Sequence, residues 1–486
     1  MIFNSYLFIL LFLPIALLGY FLLGKIKKYD CTKPWLILCS CIFYGYIQWK
    51  CLAALLIGSL VSFTIVRIMR KSRQPKTRKT CAILGVVINI AYLLVLKYFD
   101  FFQNSTSHIF DTNILFPQWM VPMGIGFIML HQISYIVDIY KNEDLYCSFA
   151  EYFLYIVFFP KLVSGPIITY KNFLPQIRNR LRTTIDYNNM VKGLTLFSYG
   201  LGKKALVADT FLLFVESGYE HLSSLTAISA LVVMISYTIQ LYFDFSGYSD
   251  MARGVAQMFN FELPVNFNSP LKAVSVTDLW RRWHITLNQF LMEYVYFPLG
   301  GSKRGKYRTY FNIMVIFFIS GLWHDVSGRY IIWGCLNGLF VVIERLTNRR
   351  IEKKPWLGRI FTFLFTCFAF INFSAASIPE VGKFISRFAH FQDGISMGVL
   401  FASFNENMEI TLLYRFGLSH LFTSFPALPV IILLISTILF CFFAKNTQEI
   451  IADNKYGRMR MIKTVLLLCW SIVSFSNVSS FIYSVF

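Results

Sequence analysis

The chain has 486 residues, of which 56% are hydrophobic, 18% aromatic and 14% charged, and its mean hydropathy is +0.57. A soluble domain carries roughly a quarter charged residues, so this composition excludes a water-soluble globular protein and makes the bilayer the solvent. A formal net charge of +20 would suggest nucleic acid in a soluble chain. Here the basic residues gather in short loops between apolar runs, where positive-inside bias accounts for them, and no nucleic-acid contact is expected.

About 20 consecutive apolar residues cross a hydrocarbon core as a helix whose backbone groups satisfy one another. In chain order the clear candidates are Tyr6 to Leu23, Leu52 to Met69, Thr80 to Phe101, Leu225 to Phe245, Tyr330 to Leu346, Arg359 to Phe373, Pro429 to Ala444 and Ile462 to Phe486. Shorter or polar-interrupted ones lie at Trp35 to Trp49, Val121 to Tyr140, Phe149 to Ile168, Met190 to Phe214 and Tyr310 to Trp323. These predict an all-α polytopic membrane protein with roughly eleven to thirteen hydrophobic helices, some re-entrant, in a single domain over 1–486. No basic residue precedes Lys25 and no small-residue cleavage site follows the first run, so that run is expected to stay as a span.

The basic loops are Lys25 to Lys33, Arg67 to Lys79, Lys303 to Arg308 and Arg349 to Arg359. Counting spans between them places all four on the cytoplasmic side and the N-terminus outside. The ten cysteines lie mostly in apolar runs without metal-ligand spacing and read as buried small hydrophobes; no metal site is expected.

Both ends of the chain are plain apolar helices. The stretch from about 120 to 346 is instead dense in polar, aromatic, Gly and Pro residues at membrane depth. Ionisable groups there are expensive and mark a pathway or a site, so the functional core is expected in this part.

The segment VSVTDLWRRWHITLNQFLMEYVYFPLGG, Val274 to Gly301, predicts an interfacial or re-entrant helix. Thr277 can cap its N-terminus, and Arg281, His284 and Asn288 recur at spacings of three and four along one polar face. Trp280, Trp283, Leu287 and Leu291 form the apolar face. An anchor with Asp278 and Arg282 paired at i, i+4 explains this pattern as well as a donor-binding or catalytic role does.

FFISGLWHD, Phe317 to Asp325, sets His324 between two apolar segments. From Tyr307 to Trp323 a helix would rise about 25 Å, placing His324 deep in the bilayer or near its outer side. A neutral imidazole there can act as general base toward a sugar hydroxyl attacking a thioester; a structural histidine is the alternative.

Three further polar features cross apolar segments. His131, Ser134 and Asp138 follow helical spacing, as do Tyr237, Gln240 and Asp244. Lys161 lies in FFPKLVSGPI, where two prolines and a glycine predict a broken helix. Each alone reads as an interhelical contact; together they suggest a polar funnel. There is no Walker-type loop, no HExxH and no G-x-S-x-G elbow.

The stretches MIFNSYLFILLFLP, PMGIGFIMLHQISYIVDIY, FFPKLVSGPI, QLYFDFSGYSDMARGVAQMFNFELPVNFNSP, DLWRRWHITLNQFLMEYVYFPLGG and GLWHD, in this order, resemble the membrane-bound O-acyltransferase family. The branch they resemble is that of bacterial alginate and peptidoglycan O-acetyltransferases. The resemblance spans nearly the whole chain, and its WRRWH and GLWH pair is its most specific part.

The resemblance implies a ring of helices thinned to a central tunnel, with His324 as the main catalytic histidine and His284 assisting it, as orienting group or in stabilising the oxyanion. Arg281, Arg282, Trp283, Asn288, Trp323, Asp244, Tyr237, Gln240 and Lys161 are the expected tunnel residues. It also implies an acyl group, acetyl in the first instance, carried from acetyl-CoA or another cytoplasmic acyl donor as co-substrate, with no bound cofactor. The acceptor would be an envelope polysaccharide or peptidoglycan, reached in a bacterial plasma membrane with a separate extracytoplasmic partner of SGNH-hydrolase type. Asp325, Asn337 and Ser374 depart from residues usual at these places in the family. Teichoic-acid D-alanylation by a related branch, and a transporter without chemistry, are the rival readings; the transporter lacks the internal repeats expected of it.

Overall fold

The structure is a computed structural model that describes residues 1–110, 121–348, 350–391, 415, 427–453, 457–475 and 481. The described residues are helical or irregular, with no strand among them. Five of their helices are long and apolar enough to cross a membrane: Leu7–Lys25, Tyr29–Lys71, Pro75–Tyr98, Ala227–Met258 and Pro355–Ser374. The 43-residue helix joins two of the expected segments, Trp35 to Trp49 and Leu52 to Met69. They meet at a kink where Gln48 leaves helical geometry (φ −142°, ψ 67°). Of the last expected span, residues 476–480 and 482–486 lie outside the described residues. Internal contacts divide the chain into two compact units.

Among the described residues, the first unit comprises Met1–Phe197 and Ala252–Pro264. A π-helical turn, Leu7–Phe12, leads into α1 (Leu13–Lys25), followed by α2 (Tyr29–Lys71), α3 (Pro75–Phe110), α4 (Ile125–Lys141), α5 (Phe149–Val157) and α6 (Tyr170–Arg178). Its core is aromatic. Phe8, Phe12, Phe43 and Phe159 pack with ring centroids 5.3 to 6.5 Å apart, within the range of edge and offset aromatic pairs.

Helix α5 starts at a capping box of Ser148 and Glu151 and stops at Val157. The chain then continues without helix to Thr169, as Pro160, Gly165 and Pro166 require. The polar stripe of α4 holds this return. Ser134 accepts the Tyr170 N–H (3.2 Å) and Asp138 the Lys171 N–H (3.2 Å), so both satisfy the start of α6.

The second unit comprises Ser198–Met251 and Val265–Ile482. After α7 (Tyr187–Gly202) comes a second π-helical turn, Lys203–Ala208, then α8 (Asp209–Glu220) and α9 (Ala227–Met258). The π turn sets two consecutive lysines against α9. Lys203 pairs with Asp250 at 2.6 Å, and Lys204 with Asp244 at 2.6 Å and Asp209 at 2.9 Å.

Next come α10 (Val276–Arg282), α11 (Ile285–Leu291), α12 (Lys306–His324), α13 (Gly328–Leu346), α14 (Pro355–Ser374), α15 (Ile378–Ser386), α16 (Ala427–Phe443), α17 (Thr447–Ala452) and α18 (Arg458–Val473). Helices α12 and α13 form a close hairpin. A Cβ on Gly334 would overlap the Phe317 carbonyl oxygen, and one on Gly321 the Tyr330 carbonyl oxygen. Small residues at these two points let the backbones touch, as in membrane helix pairs generally.

Candidate active site

The WRRWH segment is two short helices rather than the single helix its spacing predicts. Helix α10 ends at Arg282, Trp283 is extended, and His284 adopts a left-handed conformation (φ 46°, ψ 49°) as the N-cap of α11. The N-cap of α10 is Ser275, whose hydroxyl accepts the Asp278 N–H at 3.0 Å, and not Thr277. Thr277 is already inside the helix and donates its N–H (2.8 Å) and hydroxyl (2.7 Å) to Glu344 of α13. Glu344 also accepts the Val276 N–H at 2.6 Å. A carboxylate thus meets the positive end of α10 and ties it to α13.

The break turns His284 away from the face shared by Arg281 and Asn288. Arg281 and Asn288 line a cavity of about 750 Å³ together with Trp280, Glu293, Phe317 and Arg345. Asn288 also donates to the Trp280 carbonyl at 2.7 Å and the Trp283 carbonyl at 2.9 Å, closing the C-terminal end of α10. Arg282 points elsewhere and pairs with Asp278 at 2.9 Å. Trp283 is buried between Phe267, Phe370 and Tyr242, at 5.3, 5.0 and 6.0 Å.

His284 is 2% exposed. Its ring stands edge-on to Phe245 at 4.8 Å and 6.1 Å from Trp323. Nδ1 lies 3.1 Å from Oδ1 of Asn266, which also accepts the Thr286 N–H (3.3 Å) and hydroxyl (2.9 Å). His284 lies in a helix break outside the spans, and burial lowers its pKa to about 3, so the ring is neutral at pH 7.

His324 is the last residue of α12, whose 19 residues rise about 28 Å. It is 2% exposed and ringed by Trp333 at 5.4 Å, Phe373 at 5.1 Å and Tyr330 at 6.0 Å. Trp323 meets both histidine rings, at 6.1 Å from His284 and 4.9 Å from His324. Trp333 also meets Trp280 at 5.4 Å, so an aromatic pair separates His324 from the 750 Å³ cavity. Asn337 fixes that pair: it accepts the Trp280 indole N–H at 3.2 Å and donates to the Trp333 carbonyl at 2.8 Å. Ser374 bonds to the Tyr219 hydroxyl.

The other expected tunnel residues are placed as follows. Asp244 is in the ion pair with Lys204. Tyr237 and Gln240 are buried on α9, a helix from which Tyr242, Phe245 and, through Asn266, Ser249 also reach the WRRWH segment. Lys161 belongs to the first unit, fully buried with its ammonium 4.5 Å over the Tyr155 ring. Sequence reasoning missed Asn266, Glu344 and Arg345. Their only local signals are an Asn-rich turn between prolines, PVNFNSP, and a lone ER pair closing an apolar helix. Among the described residues no three His, Cys, Asp or Glu side chains gather to hold a metal.

Two histidines, a buried aromatic chamber and an adjoining cavity with two arginines form a site suited to acyl transfer. Residues 132–382 match the family model described as MBOAT, membrane-bound O-acyltransferase family. The chain is 33% identical to a peptidoglycan O-acetyltransferase of Helicobacter pylori, over 96% of this chain and 94% of that one. It is 33% identical to a probable alginate O-acetylase of Pseudomonas putida, over 81% of each chain. A teichoic acid D-alanyltransferase of Bacillus subtilis is 25% identical over 60% of this chain and 76% of its own length. The likeness thus runs through the histidine pair and far beyond it on both sides, and the chain belongs to the membrane-bound O-acyltransferase family.

Proposed function

We propose that this acyltransferase moves an acetyl group from a cytoplasmic thioester, acetyl-CoA being the simplest, to hydroxyls of an envelope glycan, either peptidoglycan or an exopolysaccharide. The observation that carries this reading is the placement of His324. It is buried in an aromatic chamber at one end of a helix about 28 Å long, and the other end of that helix begins within the basic stretch Lys303 to Arg308. A donor would enter from the basic side through the cavity lined by Arg281 and Arg345. Its anionic groups would meet guanidinium groups there, while its thioester reached past Trp280 and Trp333.

In this reading His324 is the general base. The acceptor O–H bond breaks, the proton goes to the imidazole, the oxygen forms a bond to the acyl carbon, and the carbon–sulfur bond breaks. The proton then passes from His324 to the leaving thiolate, so no co-reactant is needed. The aromatic chamber excludes water that would otherwise hydrolyse the donor. An extracytoplasmic partner of SGNH-hydrolase type would receive the acetyl group or guide the glycan. The near full-length likeness to a peptidoglycan O-acetyltransferase supports this choice of acceptor.

The test is the ester-linked acetate released by mild alkali from envelope glycans of wild type, a deletion strain, and the deletion carrying His324→Ala at matched expression. Acetate should fall in the deletion and stay low in the variant. Unchanged acetate in the deletion would overturn the reading. Alanyl esters found by mass spectrometry instead would favour the D-alanyl reading, which the more distant B. subtilis relative motivates.

A further inference from the structure

We infer that Asn266 is a positioning residue that holds His284 as the Nδ1–H tautomer, so that Nε2 carries the lone pair and serves acyl transfer as a hydrogen-bond acceptor rather than an oxyanion donor. The inference rests on the acyltransferase reading of the site and adds the proton inventory of its second histidine.

The Thr286 backbone N–H can only donate, and it points at Asn266 Oδ1 at 3.3 Å. That contact fixes which end of the amide is the carbonyl, since the reversed amide would set N–H against N–H. The other end, Nδ2, donates to Ser249 Oγ at 3.3 Å. An amide oxygen has no hydrogen, so the ring atom 3.1 Å from it, Nδ1 of His284, must supply one. A neutral imidazole has a single N–H, which leaves Nε2 without one.

The backbone enforces the same arrangement. A residue with a Cβ is strained in the left-handed region, and such strain persists where surrounding contacts over-determine it. Asn266 and Asn268 supply those contacts on both sides of the break: the Ile285 N–H donates to the Asn266 carbonyl and the Asn268 N–H to the Arg282 carbonyl, each at 2.9 Å. Asn266 therefore holds both the position of His284 and its proton.

With its lone pair at Nε2, His284 can take a hydrogen bond from an N–H of His324, which orients the other ring nitrogen of His324 toward the hydroxyl whose proton it accepts. It has no proton to give to the tetrahedral oxyanion.

The test is solid-state NMR of the full-length protein, ¹⁵N-labelled at histidine, in lipid bilayers at pH 7. The chain has seven histidines, so His284→Gln identifies the signal by its loss. That signal should show the Nδ1–H tautomer in the wild type and change to the Nε2–H form or a mixture in Asn266→Ala. In proteoliposomes, Asn266→Ala should lower kcat for acetyl transfer roughly ten- to hundredfold with little change in donor KM. Asn266→Gln, which keeps an amide carbonyl, should recover part of it. An Nε2–H signal in the wild type would overturn the inference, even if wild-type transfer is robust. So would an Asn266→Ala protein with unchanged tautomer and rate. Absence of transfer by the wild type, in contrast, is a failure of the acyltransferase reading and leaves the tautomer assignment standing.

Discussion

Replacing Glu344 should cost this protein its activity although Glu344 is in contact with neither histidine ring. Its carboxylate accepts three hydrogen bonds from the start of α10, at 2.6, 2.8 and 2.7 Å, and the residue is 6% exposed. In Glu344→Ala, two backbone N–H groups and a hydroxyl lose a charged acceptor in a place that water reaches poorly. Orphaned buried donors cost about 1–3 kcal/mol each, and relaxation recovers part of that, so a net local loss of about 3–5 kcal/mol is expected.

The loss falls on a seven-residue helix that cannot persist by itself and that carries Trp280 and Arg281 into the cavity wall. Acetyl transfer by the purified variant should therefore drop at least tenfold, at a temperature where circular dichroism still reports wild-type helix content. Glu344→Gln, which keeps one oxygen, should fall between. An Ala variant with wild-type transfer and a wild-type thermal midpoint would refute the idea that this carboxylate holds α10.

Gly334→Val should push the Phe317 backbone away and open the α12–α13 hairpin, losing about 1–3 kcal/mol or more as overpacking does; reduced detergent-solubilised yield and a lower thermal midpoint would show it. Lys204→Met leaves Asp244 and Asp209 without their shared cation and should destabilise by about 3–5 kcal/mol. The double change Lys204→Met with Asp244→Leu should recover part of that in the same melting experiment. Arg345 lines both the 750 Å³ cavity and a neighbouring one of about 850 Å³. Arg345→Gln should raise the KM for the acyl donor roughly tenfold or more, the worth of a charge-assisted hydrogen bond, while kcat and the melting temperature stay near wild type.

The long apolar helices were legible in the sequence because length and hydropathy are local properties, and so was the broken helix around Pro160, Gly165 and Pro166. The backbone geometry of the WRRWH segment was not legible. The heptad-like spacing of Arg281, His284 and Asn288 fits one face of a helix. The left-handed turn at His284 that breaks it is held by Asn266, 18 positions upstream, which no local pattern reveals.

Helix α9 shows a second limit. Of its most apolar window, 89% is buried, so every face meets protein and helical spacing cannot tell which face meets the histidines. The stripe of Tyr237, Gln240 and Asp244 stood out because it is polar. Phe245, whose ring meets His284 at 4.8 Å, did not. Asp244 shows the complementary case: its charge is balanced by a lysine 40 positions away, brought to it by a π-helical turn that the apolar run does not announce.

The central claim is that His324 is the base for acetyl transfer to a hydroxyl. Its most direct test is the transfer of labelled acetyl from acetyl-CoA to a soluble glycan acceptor by the purified protein in proteoliposomes, with the extracytoplasmic partner added. Wild type should form an alkali-labile ester, and His324→Ala, inserted in equal amount and with an unchanged circular dichroism spectrum, should fall by roughly a hundredfold or more. Ester formation by His324→Ala at the wild-type rate would contradict the account.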